Sequence, residues 1–215
     1  MRSALCFGDS NTHGVIPGQP PGTRYAWHDR WPGVLQRTLE SDWRVIEEGL
    51  PGRTTVSDDP VEGAHLNGRR YLRPCLESHK PLDAVIIMLG TNDLKARFQK
   101  NVSEIALGLA ALVQDIREDA FRSSTEVPYV ILVSPPEILS DLRGWECVFE
   151  GGYEKSQQLA DQIENVATTL GIGYVNGGKH AVCSEADGFH VDREGAAGIG
   201  AAVAKVLRAQ FPNAL

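Results

Sequence analysis

The sequence predicts an α/β fold with three α/β/α layers, in which helices cover both faces of a five-stranded parallel sheet of flavodoxin-like order. Two observations predict the layers. Short apolar runs recur along the chain, each followed by glycine, proline or polar turn residues, and stretches with helical spacing lie between them. The third observation concerns size: 215 residues, 42% hydrophobic and 23% charged, suit a single domain spanning 1–215.

The apolar runs are short enough to be buried strands, and turn residues bound each of them. Because both faces of a parallel sheet are covered, its strands are apolar throughout and do not alternate. In chain order, the predicted strands are ALCF (4–7), WRVI (43–46), DAVIIML (83–89), YVILV (129–133) and IGYV (172–175).

The helical stretches repeat apolar residues at steps of three and four positions, which places them on one face of a helix. In chain order, the predicted helices are 31–40, about 67–78, 102–120, 153–170 and 193–210. The third helix shows the spacing clearly, through Ile105, Leu109, Leu112, Val113 and Ile116.

Charge and hydropathy exclude several classes of partner. The formal net charge of −7 disfavours nucleic acid and anionic membranes, because phosphate binding depends on clustered lysine and arginine. No apolar run approaches the ~18 residues of a membrane span. From the charge we expect partners that are neutral or small. The apolar part of MRSALCFGDS is too short for a signal-peptide core, so we expect a cytoplasmic protein.

The cysteines predict neither a metal site nor a redox pair. Four cysteines are widely separated without a C-x-x-C spacing, so free thiols are expected. No H-E-x-x-H or other ligand spacing occurs either, and we expect no metal and no cofactor. Cys183, four residues before Asp187, is expected to be a small buried or loop cysteine and not a thiol nucleophile.

A polar turn, FGDSNTHG (7–14), follows the first predicted strand and carries Ser10. Glycine, aspartate, serine and asparagine are selected by turns for local reasons, so the segment alone is typical of a plain turn. In open α/β sheets, however, ligands bind in the crevice beyond the carboxyl ends of the strands. Ser10 is therefore a turn residue or a nucleophile, and a nucleophile needs a base and a group that orients the base.

His190 is the candidate base among the six histidines, because DGFH (187–190) places Asp187 three residues before it on one loop. That loop can carry both side chains to the same rim. A lone D-x-x-H is also typical of a turn that precedes a helix and leaves its histidine in solvent. His28 with Asp29 is the competing pair, which we rank lower because adjacent side chains tend to point apart.

Two further turns that follow strands could donate hydrogen bonds to the oxyanion formed in acyl transfer. Asn92 in GTND (90–93) could donate through its amide, and Gly52 in GLPGRTT (49–55) through its backbone N–H. Each residue is also typical of an ordinary turn after a strand, and Asp93 could cap the following helix. The signals are stronger together, because the fold gathers strand ends into one crevice.

Four segments carry a family resemblance: FGDSNTHG, GLPGRTT, GTND and DGFH occur in the order and spacing of the four blocks of the GDSL-type, or SGNH, hydrolases. The resemblance covers nearly the whole chain and implies the flavodoxin-like SGNH hydrolase fold. No G-x-S-x-G occurs, so the nucleophile elbow of the α/β-hydrolases is missing. Further segments are similar to the branch with bacterial arylesterases and an acyltransferase active in water: RWPGVLQ, VIEEGLPGRTT, LNGRRYL, LDAVIIMLGTND, VSPP and FEGGYEKS.

The resemblance implies a serine esterase, arylesterase-like, that cleaves short-chain acyl esters, especially acetyl esters, through an acyl-enzyme. It implies Ser10 as nucleophile, Asp187 and His190 as the rest of the triad, and an oxyanion hole formed by the N–H groups of Ser10 and Gly52 and the side chain of Asn92. Water or an alcohol would accept the acyl group. The acyltransferase-like relatives assemble, so a homo-oligomer is expected.

The second block departs from the family pattern at one place. Many relatives have an asparagine shortly before its first glycine, where this chain has Glu47 and Glu48. Gly52 is unaffected by this difference.

Two other functions remain open. A carbohydrate or natural-product acetyl esterase would share the chemistry and differ only on the alcohol side of the pocket. A non-catalytic flavodoxin-like binding module would use the four blocks only as turns, although such a module has no need of all the candidate residues. Side chains on the loops 15–31 and 139–153 are expected to wall the acyl or alcohol pocket.

Overall fold

A computed structural model describes residues 1–212 of the chain. Its sheet has five parallel strands in the order β2-β1-β3-β4-β5, which confirms the predicted fold class. The strands are β1 (Arg2–Gly8), β2 (Trp43–Gly49), β3 (Ala84–Met88), β4 (Tyr129–Ser134) and β5 (Gly173–Asn176). Each overlaps one predicted apolar run.

The strand register brings three carboxyl ends together. Gly8, the last residue of β1, pairs with Gly49 of β2 on one side and with Met88 of β3 on the other. The three polar turns that follow these strands therefore begin side by side, as expected for the crevice of an open α/β sheet.

Five long helices lie close to the predicted ranges, and a short helix was not predicted. The long helices are α2 (Trp31–Leu39), α3 (Gly68–His79), α4 (Val102–Ser123), α5 (Gly152–Leu170) and α6 (Arg193–Gln210). The short helix α1 (Ser10–His13) begins immediately after β1, where the sequence predicted a turn. A four-residue helix is too short to show a 3.6-residue periodicity, so its sequence resembles a turn.

The helix α4 corrects one expectation. Asp93 does not cap it; the cap is Asn101, whose side chain accepts the N–H of Glu104 at 2.9 Å while the Glu104 carboxylate accepts the N–H of Asn101 at 2.8 Å. This reciprocal pair is a capping box, which satisfies two backbone donors at the helix start.

Two hydrophobic clusters fill the molecule, one on each face of the sheet. Leu5 and Phe7 of β1 pack on one side with buried residues of α3, α4 and α5. Ala4 and Cys6 pack on the other side with residues of α2 and α6, including the fully buried Trp31. Alternate strand residues thus face opposite helical layers, which gives the α/β/α sandwich. Within residues 1–212, no helix is long and apolar enough to cross a bilayer.

Candidate active site

Ser10 is the first residue of α1 (Ser10–His13) and lies two residues after the end of β1. Asp9 is the N-cap residue of this helix, and its Oδ1 accepts the N–H of Asn11 at 3.0 Å. Gly14 ends the helix in the left-handed region at φ 85°, which glycine adopts without steric cost. The helix is therefore fixed at both ends, and its first residue is the candidate nucleophile.

Ser10, His190 and Asp187 form a continuous hydrogen-bond chain. The Oγ of Ser10 lies 2.9 Å from Nε2 of His190, and Nδ1 of His190 lies 2.8 Å from Oδ2 of Asp187. A carboxylate accepts hydrogen bonds, so Nδ1 carries the proton and Nε2 offers its lone pair to the serine hydroxyl. This is the arrangement that a serine nucleophile requires.

The carboxylate of Asp187 is oriented by backbone donors as well as by the imidazole. Its Oδ1 accepts the N–H groups of Phe189 at 3.1 Å and His190 at 3.0 Å, and its Oδ2 accepts that of Gly18 at 3.1 Å. Burial raises the pKa of Asp187, but the hydrogen bond and charge of His190 and the backbone donors outweigh it, so the pKa lies below its ordinary value. Asp187 is thus ionised at neutral pH.

Asn11 connects the helix that carries Ser10 to the segment that carries His190. Its amide donates to the carbonyl of Phe189 at 3.3 Å, and its Oδ1 accepts the N–H of Val191 at 2.9 Å. These bonds hold the backbone of the residues immediately before and after His190. Asn11 was missed in the sequence, where it lies inside FGDSNTHG but is separated from residue 190 by 179 positions, so no local pattern connects them.

Gly52 has the conformation that only glycine adopts easily, with φ at 85°. A Cβ atom there would lie 2.9 Å from Cδ1 of Leu66. Within residues 1–212, no backbone carbonyl accepts the N–H of Gly52 or that of Ser10, so both donors are available to a ligand.

The side chain of Arg53 supports the same turn from the buried side. It donates to the carbonyl of Gly8 at 2.9 Å and to that of Glu48, and its guanidinium lies over the ring of Phe7 at 4.1 Å. Cation–π contact and carbonyl acceptors together stabilise a charge that is nearly fully buried. Sequence reasoning missed Arg53 because an arginine in a turn is ordinarily exposed.

Asn92 begins the short turn that follows β3, and its amide points toward the other two strand ends. Its Nδ2 donates to the carbonyl of Arg53 at 3.2 Å and to Oδ2 of Asp9 at 3.4 Å. Both distances exceed the usual ~2.9–3.0 Å of an N–H···O bond, so the amide is held weakly. A weakly held amide can turn to a stronger acceptor, such as an oxyanion.

Two buried carboxyl groups lie beneath these donors. Burial raises the pKa of Asp9 to about 6, against the lowering effects of the Asn11 N–H and the charges of His190 and Arg53. Burial also raises the pKa of Asp93, which accepts the N–H of Thr55 at 2.8 Å and its hydroxyl at 2.6 Å. Asp93 therefore ties the turn after β3 to the segment after Gly52.

One cavity of about 600 Å³ contains all the residues predicted for the site. Ser10, Gly52, Asn92, Asp187 and His190 all line it. The expected loops contribute through parts of their length: the cavity is also lined by residues between 15 and 23 and by Arg143, Trp145 and Phe149. Trp145 packs edge-on against Phe189, with 5.7 Å between the ring centroids.

Several alternatives from the sequence lie outside this cavity. In the competing pair, Nε2 of His28 lies 3.6 Å from Oδ2 of Asp29, and neither residue lines this cavity. Cys183 is buried, and burial raises the pKa of its thiol to about 12, which is unsuited to a nucleophile. All four cysteines are free, as expected.

The two glutamates of the second block pair with separate partners. Glu47 binds the guanidinium groups of Arg24 and Arg30, which fastens the loop before α2 to β2. Glu48 contacts His79 with 2.7 Å between Oε1 and Nε2. The turn after β2 is therefore kept without an asparagine at these positions.

Glu48, Cys75 and His79 are the group in residues 1–212 whose potential metal-ligating atoms lie together, within 4.8 Å of one another. Burial and the charge of Glu48 raise the pKa of the Cys75 thiol to about 12, and Arg53 lies close by. A protonated thiol beside a cation is a poor cation site, so we interpret the group as a hydrogen-bonded network.

Comparison with known proteins identifies close relatives. The model of the GDSL-like lipase/acylhydrolase family matches residues 6–198. A carbohydrate acetylesterase from Sinorhizobium meliloti, Est24, is 40% identical with a TM-score of 0.94, covering 98% of this chain and 100% of its own. The aryl esterase of M. smegmatis is 39% identical with a TM-score of 0.92, covering 97% and 99%. None of the curated proteins compared with the chain matches it.

Proposed function

Because the chain belongs to the GDSL-like lipase/acylhydrolase family and is a carboxylic ester hydrolase, we propose that it cleaves short-chain acyl esters, especially acetyl esters, through an acyl-enzyme on Ser10. One observation carries the proposal. The hydroxyl of Ser10 is hydrogen-bonded to His190 at 2.9 Å and His190 to Asp187 at 2.8 Å, in a cavity open to a small ester.

The reaction begins with proton transfer from Ser10 to Nε2 of His190 as Oγ attacks the ester carbonyl. The ionised carboxylate of Asp187 holds the Nδ1 proton and stabilises the imidazolium that forms, and it does not take the proton itself. His190 then gives its Nε2 proton to the departing alcohol oxygen as the ester C–O bond breaks. The acyl group remains on Ser10.

The negative oxygen of the tetrahedral intermediate is bound by the N–H groups of Ser10 and Gly52 and by the amide of Asn92. In the described part of the chain, residues 1–212, neither backbone donor has a carbonyl partner, and the amide is weakly held. Such preorganised donors stabilise the transition state more than the ground state, because the charge appears only there.

Deacylation repeats the chemistry with water or an alcohol as the nucleophile and His190 as the base. The acyl group leaves Ser10 as a carboxylic acid in the first case and as a new ester in the second. Trp145 and Phe149 line the cavity and provide apolar surface on which an alcohol can bind. This surface supports acyl transfer to an alcohol beside hydrolysis.

A carbohydrate acetyl esterase is the second candidate, favoured by the likeness to Est24 and by polar cavity residues such as His13, Gln19 and Thr23. It uses the same acyl-enzyme and differs in the alcohol that leaves. A binding module without catalysis does not account for the hydrogen-bond chain at Ser10.

The first test is p-nitrophenyl acetate turnover by the wild type beside Ser10→Ala, with circular dichroism to confirm that both are folded. We expect turnover to fall by at least about 10³-fold in the variant, because the acyl-enzyme cannot form. Adding benzyl alcohol to the wild type then measures how the acyl group divides between water and alcohol. Equal rates in both proteins would reject the proposed function.

A further inference from the structure

We propose that His13 binds a hydroxyl group next to the scissile ester, so that the enzyme selects acetylated sugars or other acetylated polyols over esters of simple alcohols. This inference rests on the proposed function, because it concerns the alcohol side of the same site. His13 is thus a specificity-determining residue that lies outside the hydrogen-bond chain of Ser10, His190 and Asp187.

The position of His13 on α1 brings it close to the nucleophile. Ser10 and His13 are the first and last residues of this four-residue helix. Side chains three residues apart on a helix lie on the same side, about 5–6 Å apart at Cβ. Both residues line the 600 Å³ cavity, so an ester bound with its carbonyl carbon at Ser10 has its alcohol portion within reach of the imidazole.

The protonation pattern of the His13 ring follows from its contact with the carbonyl of Gly49. Nδ1 of His13 lies 3.2 Å from the carbonyl oxygen of Gly49. A carbonyl oxygen only accepts hydrogen bonds, so Nδ1 carries the proton. Neutral imidazole has a single N–H, and Nε2 is therefore left with a lone pair that requires a donor.

Among the described residues, no donor reaches Nε2 of His13, and this atom is not sealed in the interior. Within residues 1–212, no group forms a hydrogen bond to this atom. The atom is also not fully buried, so solvent can reach it. An acceptor that is open to the cavity is satisfied by water until a ligand hydroxyl replaces it.

Burial and the surrounding charges keep the His13 ring neutral. Burial lowers the pKa of His13, and the cationic groups of Arg24 and Arg30 lower it further, against the raising effect of the Gly49 carbonyl. The ring therefore accepts a hydrogen bond at neutral pH and does not present a positive charge.

The rest of the cavity suits a ring with hydroxyl groups. Gln19 and Thr23 add polar groups to the lining, while Trp145, Phe149 and Phe189 add aromatic surface. A sugar has both a C–H surface that packs on aromatic rings and hydroxyls that need partners. An aryl ester uses only the aromatic part, whereas an acetylated sugar uses both.

The test compares two substrates that differ only in the hydroxyl: a monoacetylated methyl xyloside with its remaining hydroxyls free, and the same compound with those hydroxyls methylated. The measured quantity is the ratio of their kcat/KM values, obtained from acetate release. In wild type we expect the free-hydroxyl substrate to be preferred. In His13→Phe we expect that preference to fall by about threefold to tenfold, the value of one net hydrogen bond.

Two variants complete the set. His13→Gln can donate to the Gly49 carbonyl and still accept a hydroxyl, so it should recover most of the preference. His180→Phe replaces an exposed histidine that does not line the cavity, and should keep the wild-type ratio. His13→Leu serves in place of His13→Phe if circular dichroism shows that the phenylalanine variant is unfolded.

An unchanged ratio in the apolar His13 variant, or a wild type without preference, would overturn this inference while ester cleavage through Ser10 stood. Ser10→Ala is assayed on both xylosides in the same series. If it kept wild-type activity, the proposed function would fail, and the inference about His13 with it.

Discussion

At the scale of single residues, we propose that the amide of Asn92 is poised for a negative charge that is not yet present. Its hydrogen bonds to Arg53 and Asp9 are 3.2 and 3.4 Å long, so little is lost when the amide turns to an oxyanion. A neutral ester carbonyl gains less from such a donor than the negative oxygen does, because charge-assisted hydrogen bonds are stronger.

Replacing Asn92 by alanine should lower kcat for p-nitrophenyl acetate by about 10²-fold to 10³-fold, the effect of losing one oxyanion donor. KM should change much less, since the donor acts mainly on the transition state. Steady-state kinetics on the two proteins gives both values. A kcat within about twofold of wild type would exclude Asn92 from the oxyanion hole.

At the scale of elements, the site depends on two segments that are far apart in the chain. The helix α1 carries Ser10, and the segment before α6 carries Asp187 and His190. The Asn11 side chain joins the two segments through its bonds to Phe189 and Val191. Catalysis by such a serine and histidine requires the distance between the two segments to stay constant within a fraction of an ångström.

Asn11→Ala removes this connection and should lower kcat by about tenfold to 100-fold with a small change in KM, because His190 loses its fixed position. The matched control is Asn101→Ala, which removes the side chain of the capping box of α4. The control should lose about 1 kcal/mol of unfolding free energy and keep its kcat. Denaturation curves and kinetics on both variants make the comparison; equal kcat values in the two would contradict a positioning role for Asn11.

At the scale of the whole molecule, the buried carboxyl of Asp9 couples stability to pH. Its pKa rises from an ordinary value of 3.8 to about 6 in the fold, because burial disfavours the charged form. Between these two values the folded state binds more protons than the unfolded state. The contribution of Asp9 to the unfolding free energy therefore falls as pH rises from about 4 to about 6 and is constant above that range.

Asp9→Asn removes this titration but can still accept the N–H of Asn11. Relative to wild type, its unfolding free energy should therefore rise by about 2–3 kcal/mol between pH 3.5 and 7.5, at ~1.4 kcal/mol per pKa unit. Urea denaturation of both proteins at several pH values measures the difference. A difference that did not vary with pH would show that Asp9 titrates as it does in the unfolded chain.

Two further properties of the whole molecule stay predictions. The sequence leads us to expect a single domain over residues 1–215 and a homo-oligomer.

The order and type of the long elements were predictable because they depend on local patterns. The five apolar runs and the amphipathic spacing of residues such as Ile105 and Leu109 lie within short windows of the chain. Similarly, the four blocks are each only a few residues long, so Ser10, Gly52, Asn92, Asp187 and His190 could be named as candidates. The helix α1 was not predicted, because four residues hold no periodicity.

The sequence by itself thus determined the strand and helix order and the chemical types available at the strand ends. Only the tertiary structure decided that Asn11 joins residues 189 and 191, that Arg53 is buried over Phe7, and that His13 lines the cavity with its Nδ1 at the Gly49 carbonyl. The physical reason is that these contacts depend on strand register and helix docking. Both are set by the packing of distant residues, which no local spacing records.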